Sequence, residues 1–168
     1  MPRPSGESWI DARSSVRDPE GVSQLILFLD IDGVLNRVGF RPAIAGGLAT
    51  WIEPELAARL AQLIVDTSAG IVLASSWRDG RSLVQLRQEF NDANVAAPIV
   101  GTTPVLPGRP RWHEIQGWLD AQLERPRRFA ILDDDWDMGP FAAQHVRVRP
   151  LSGLDDEACA AARRILNG

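Results

Sequence analysis

Residues 25–36, LILFLDIDGVLN, carry five consecutive apolar residues straight into Asp30 and Asp32. A continuous apolar run of this length reads as a strand buried on both faces, the kind found in parallel sheets covered by helices. GIVLAS (70–75) repeats the pattern and runs into Ser75 and Ser76, and RRFAILDDD (127–135) runs into Asp133, Asp134 and Asp135. APIVG (97–101) and QHVRVRP (144–150) are shorter strand candidates. Ending the most apolar segments of a chain on carboxylates costs desolvation and mutual repulsion, so something must offset both.

Helical patterns separate these runs. EPELAARLAQLIVD (53–66) opens with Pro54 in the first turn and places Leu56, Leu60, Leu63 and Ile64 on one face. DGRSLVQLRQEFNDAN (79–94) turns Leu83, Leu86 and Phe90 inward, and RWHEIQGWLDAQLE (111–124) spaces Ile115, Leu119 and Leu123 by four. LDDEACAAARRILNG (154–168) starts acidic and ends basic before a glycine, as a closing helix does. Segment 37–51 is a glycine-rich loop. The alternation implies a three-layer α/β/α domain around a central, mostly parallel sheet of about five strands, with no second domain and little or no cap. The expected organisation is a loose tail over 1–22, rich in Pro, Ser, Gly and charge, followed by one domain over 23–168.

The net charge of −4 does not suggest a general nucleic-acid or membrane surface. All 18 basic residues are arginine, so no lysine is available as a catalytic cation. The single cysteine, Cys159, excludes an internal disulfide and reads as a buried structural thiol. The start lacks an apolar signal region, and no run approaches membrane-spanning length; a cytoplasmic protein is the expectation.

In an open parallel sheet, ligands bind beyond the carboxyl ends of the strands. Side chains two apart on an extended segment share a side, so Asp30 and Asp32 can face one pocket, and Gly33 allows a sharp turn behind them. If the strand bearing Asp133 and Asp134 lies alongside, three or more carboxylates converge. A proton or a hard cation such as Mg²⁺ must then share the site.

FLDIDGVLN, IVLASS and FAILDDD, in this order and spacing, resemble motifs I, II and IV of the haloacid-dehalogenase-like (HAD) phosphohydrolases. LASSWR, RWHEIQGWL and LDDDWDM are similar to a small capless branch, the HAD domains of RNA-repair proteins. The resemblance implies a HAD-like Rossmannoid fold and a Mg²⁺-dependent phosphatase working through an aspartyl-phosphate. It implies that Asp30 attacks phosphorus, that Asp32 serves as acid and then base, and that Ser75, or Ser76 if the register shifts, hydrogen-bonds the phosphoryl group. Asp133 or Asp134 would hold Mg²⁺ with Asp30 and the backbone carbonyl of Asp32. The motif III cation is usually lysine; Arg111 is the first substitute and Arg109 the second.

Trp77, Trp112 and Trp136 each flank a site segment and could stack on a flat leaving group, with Arg37, Arg41 and Arg78 as further anion contacts. The expected partner is a phosphorylated small molecule or a nucleic-acid end, with no membrane. Asp135 reads as solvated and Asp137 as a candidate outer ligand. His113 reads as a surface residue. Two other readings gather acids in this way. A metal-dependent D-x-D glycosyltransferase leaves Ser75 and the Asp133 cluster without a task. A non-catalytic phosphoacceptor or binding module usually includes a lysine or lacks one of the first two aspartates.

Overall fold

The computed structural model describes residues 25–168; the expected tail over 1–22 lies outside the described residues. β1 (Leu25–Leu29), β2 (Gly70–Leu73), β3 (Ile99–Thr102), β4 (Arg128–Asp133) and β5 (His145–Arg147) pair in parallel in the order β3-β2-β1-β4-β5. The chain builds outward from β1 to β3 and then returns to the other side of β1 as β4. The order therefore reverses between β1 and β4, where a crevice opens at the carboxyl ends of an open α/β sheet.

Strand alternation divides the core in two. Leu27 and Leu29 of β1, Ile71 and Leu73 of β2, and Ala130 and Leu132 of β4 face one layer. That layer is made by α1 (Pro54–Thr67), α2 (Leu83–Asp92) and α4 (Asp156–Asn167) through Leu56, Leu60, Leu63, Phe90, Ala162 and Leu166. Ile26, Phe28, Val72 and Ile131 face the opposite layer, where α3 (Arg111–Asp120) supplies Ile115, Trp118 and Leu119. Phe28 meets Trp118 and Phe129 edge-on, with ring centroids 5.4 and 5.6 Å apart. The result is the three-layer α/β/α arrangement expected from the alternation. Between β1 and α1 the chain forms only a short 3-10 turn, Leu48–Trp51.

Local signals explain the element limits. Pro54 occupies the first turn of α1, where its missing N–H is no loss. Ser82 and Gln85 form a reciprocal capping box on α2. Asp155 caps α4 through Ala158 N. Cys159 is buried in the α4 layer, and burial pushes its thiol up to about 11.

One element is shorter than its periodicity suggests. α3 ends at Asp120, and Leu123 is fully exposed, so Leu123 does not continue the Ile115–Leu119 stripe. Trp118 joins Ile115 and Leu119 on the buried face instead, because i+3 and i+4 neighbours share a helix face. His113 is half-buried on the same helix and stacks on Trp112 at 3.5 Å, rather than lying at the surface. Leu119→Ala should cost about 2–5 kcal/mol in denaturant unfolding, and Leu123→Ala no more than about 0.5 kcal/mol.

Candidate active site

The pleat determines which layer the acids face. Ile26 and Phe28 point toward α3, so Asp30, the next residue of that parity, points there too; Ile131 and Asp133 of β4 follow the same rule. β1 and β4 are in register, with Leu29 beside Leu132, so Asp30 and Asp133 emerge side by side where the strand order reverses. Asp30 N–H donates to Leu132 O at 2.9 Å, extending the ladder to the site.

One carboxylate oxygen from each of Asp30, Asp133 and Asp134 lies within 4.8 Å of the others. Asp30 is 7 % exposed and Asp133 1 %. Burial raises the Asp30 carboxyl above its ordinary range, against Arg111 and the Ser75 hydroxyl, which favour its charged form. Burial, and then the Asp30 charge, push Asp133 up to about 7. Burial also raises Asp134. Oδ1 of Asp133 accepts the Asp135 N–H at 2.9 Å, while Oδ2 is buried without a hydrogen-bond partner. A buried carboxylate oxygen with no donor, beside two further carboxylates, suits a hard divalent cation, which takes oxygen ligands and offsets their repulsion. Asp30, Asp133 and Asp134 are the residues able to hold it.

Gly33 makes the crowding possible. Its φ is +77°, and a Cβ there would lie 2.6 Å from Oδ2 of Asp134. Any side chain would both strain the backbone and displace that carboxylate.

Arg111 begins α3 and reaches both buried acids: its Nη2 is 3.8 Å from Asp30 Oδ1, and its Nε is 3.5 Å from Asp133 Oδ2. Nη1 is buried with no partner. Arg109 is exposed and lines an adjoining groove with Ser76, Arg111 and Asp135. Ser75 is buried at the end of β2 beside Asp30, whereas Ser76 is exposed and lines the cleft. Asp32 is exposed, and its carboxylate accepts Trp77 Nε1–H and Asn36 Nδ2–H. Asp30, Asp32, Asn36, Ser76, Arg111 and Asp134 border an open cleft of about 440 Å³ with Arg37, Phe40, Arg41 and Trp51.

Several sequence candidates lie away from the cleft or have their charges engaged by other groups. Arg78 is buried, not at the cleft. It pairs with Glu114 at 2.8 Å and donates to the carbonyls of Ala74, Ser75, Thr103 and Pro104. With its donors so engaged, Arg78 anchors the 3-10 turn Ser76–Arg78 instead of contacting an anion. Arg37 lines the cleft, yet it is tied to Glu53 at 2.6 Å and Glu55 at 2.9 Å. Trp112 packs against Gly139 and the α3 core. Trp136 is 81 % exposed beneath the Arg147 guanidinium. Asp135 is exposed, as expected, and Asp137 turns its carboxylate to Gly139 N instead of toward the cluster.

Asn36, Trp51 and Glu114 escaped the sequence reading. Glu114 carried a usable signal: it shares the α3 stripe with Trp118, and a charge on a buried stripe requires a partner. Asn36 is four residues beyond Asp32, across a turn whose closure is not visible in the sequence.

An all-parallel sheet between helix layers, with aspartates from β1 and β4 meeting where the order reverses, defines a HAD-like α/β domain. The chain belongs to the family described as the HAD domain in Swiss Army Knife RNA repair proteins, whose model matches residues 26–159. That membership makes it a HAD-type hydrolase domain, a class that typically uses a divalent metal. No curated protein and no solved structure matches it. Among the described residues no helix is long and apolar enough to cross a membrane.

Two measurements address this site. With Asp133 raised to about 7 from an ordinary 3.8, the metal-free folded protein holds a proton that the unfolded chain releases. Stability in chelator should therefore fall as pH rises from about 4 to 7, and Asp133→Asn should flatten that fall in thermal unfolding. Glu114→Ala, which leaves the buried Arg78 charge uncompensated, should cost about 3–5 kcal/mol in denaturant unfolding.

Proposed function

We propose that this domain is a Mg²⁺-dependent phosphomonoesterase that forms an aspartyl-phosphate on Asp30. The observation that carries the reading is the meeting of Asp30, Asp133 and Asp134 within 4.8 Å, with Arg111 placed against two of them. A bound Mg²⁺, held by these carboxylates and the backbone carbonyl of Asp32, would neutralise charge around a transferring phosphoryl group.

The chain's own residues supply the remaining chemistry. An Asp30 oxygen attacks phosphorus and the bond to the leaving oxygen breaks. The Asp32 carboxyl gives its proton to that oxygen as it departs. Asp32, now a carboxylate, takes a proton from water, whose oxygen displaces Asp30 and yields inorganic phosphate. Ser75 and Arg111 bind the phosphoryl oxygens. Arg111 also takes the place of the missing lysine, with a planar fork in place of a point charge. A glycosyltransferase reading would leave Ser75 and the buried Asp133 without a role.

The substrate class proposed is a nucleotide or a nucleic-acid phosphate end. Trp51 lines the cleft with its ring 6.3 Å from that of Trp77, and the exposed Arg41 lies 6.0 Å over Trp51. An aromatic face beside a guanidinium suits a base and its phosphate. The cleft is open, so a macromolecular end can enter it.

The test is phosphate release from nucleoside monophosphates, phosphorylated oligonucleotides and sugar phosphates, with Mg²⁺ or with chelator. Turnover should require the metal. Asp30→Asn should fold and lose activity by about 10³-fold or more, as removal of a nucleophile does. Unchanged turnover in that variant would end the nucleophile assignment. A preference for sugar phosphates over nucleotides would count against stacking on Trp51.

A further inference from the structure

The geometry points to Trp77 and Asn36 as positioning residues that hold the Asp32 carboxylate toward the leaving group, an assignment that rests on the phosphatase reading above. Asp32 is exposed, and an exposed aspartate ordinarily rotates among several rotamers. Here Trp77 Nε1–H spans both of its oxygens, 3.1 Å from each. Asn36 Nδ2 donates to Oδ1 at 3.0 Å. An indole and an amide thus grip a carboxylate that would otherwise sample solvent.

Both donors are themselves held. Asn36 is 7 % exposed. Its amide also donates to Trp51 O at 3.1 Å, and its Oδ1 accepts Gly33 N–H at 3.1 Å. The Trp77 ring is flanked by Trp51 and by Arg81, whose guanidinium lies 5.3 Å from the ring centroid and returns a 2.8 Å hydrogen bond to Trp77 O. The next residue, Arg78, pins the same turn into the core through Glu114. A chain of contacts therefore runs from the buried Arg78–Glu114 pair through the 3-10 turn to Trp77 and Asp32.

Proton donation demands that the acid lie within hydrogen-bond reach of the departing oxygen, so orientation of Asp32 counts directly. The demand varies with the ester. An alkoxide must be protonated as it leaves; a p-nitrophenolate leaves without help. Asp32 also serves as base when water displaces Asp30, a step common to both esters, so the difference lies in the first step: loss of the grip should slow leaving-group release from alkyl esters more than from aryl esters, which a general loss of structure does not do.

The experiment compares KM and the rate of leaving-group release in a single turnover, with enzyme in excess, for a nucleoside 5′-monophosphate and p-nitrophenyl phosphate, with Mg²⁺. Trp77→Phe keeps the ring and drops the N–H. Asn36→Leu removes the second donor by an independent route, without adding a charge beside Asp32, and covers the case in which the first variant folds poorly; thermal melting checks both. Each variant should lower that single-turnover rate about tenfold on the nucleotide and about threefold or less on the aryl ester. In an Asp32→Asn background, Trp77→Phe should add less than about twofold, since it acts through Asp32. Equal losses of single-turnover rate on both esters would overturn the inference, as would a change confined to KM or a full additional loss in the Asp32→Asn background. A parent protein that hydrolyses neither ester would remove the phosphatase reading itself and this inference with it. A parent that hydrolyses both, paired with equal losses in the variants, would remove the inference alone.

Discussion

Everything at this site follows from placing two buried carboxylates on adjacent parallel strands. β1 and β4 pair in register, so Asp30 and Asp133 leave the sheet together and face the same layer. At 7 % and 1 % exposure neither can rely on water. Burial raises both carboxyls, the Asp30 charge adds to the rise at Asp133, and Arg111 offsets part of the cost. An arrangement so unfavourable in the absence of a cation is suited to holding one.

The surrounding structure keeps that cluster in place. α3 faces the sheet layer that the acids face, and its first residue is Arg111, so packing of Ile115, Trp118 and Leu119 also sets the arginine's reach. Gly33 yields the space that Asp134 occupies. The buried Arg78–Glu114 pair holds the turn that carries Ser76 and Trp77. The two arginines differ in how their donors are engaged: Arg78 is spent on four carbonyls and a carboxylate, while Arg111 retains a buried nitrogen without a partner.

This division also explains which arginines could be read from letters. Arg111 could be anticipated because it opens a helix before an acid-tipped strand. Arg78 could not be told from a surface anion contact, since its burial depends on Glu114, thirty-six residues away. Trp77 was visible as an aromatic beside the site. Its bond to Asp32 and its neighbour Trp51 were not, because both come from segments that meet only when β1 and β2 pair. Leu123 shows the converse failure: its spacing was right for a helix face, but α3 ends at Asp120, before that residue could be buried.

By itself the sequence determined the parallel α/β class and the acidic strand ends. Unbroken apolar runs can be buried only between helix layers, and their last residues must then fall at one edge of the sheet. Tertiary structure alone decided that β1 and β4 are neighbours, that α3 brings Arg111 to both acids, and that Trp77 and Asn36 grip Asp32. Those are through-space contacts set by strand order and packing, and no local pattern along the chain encodes them.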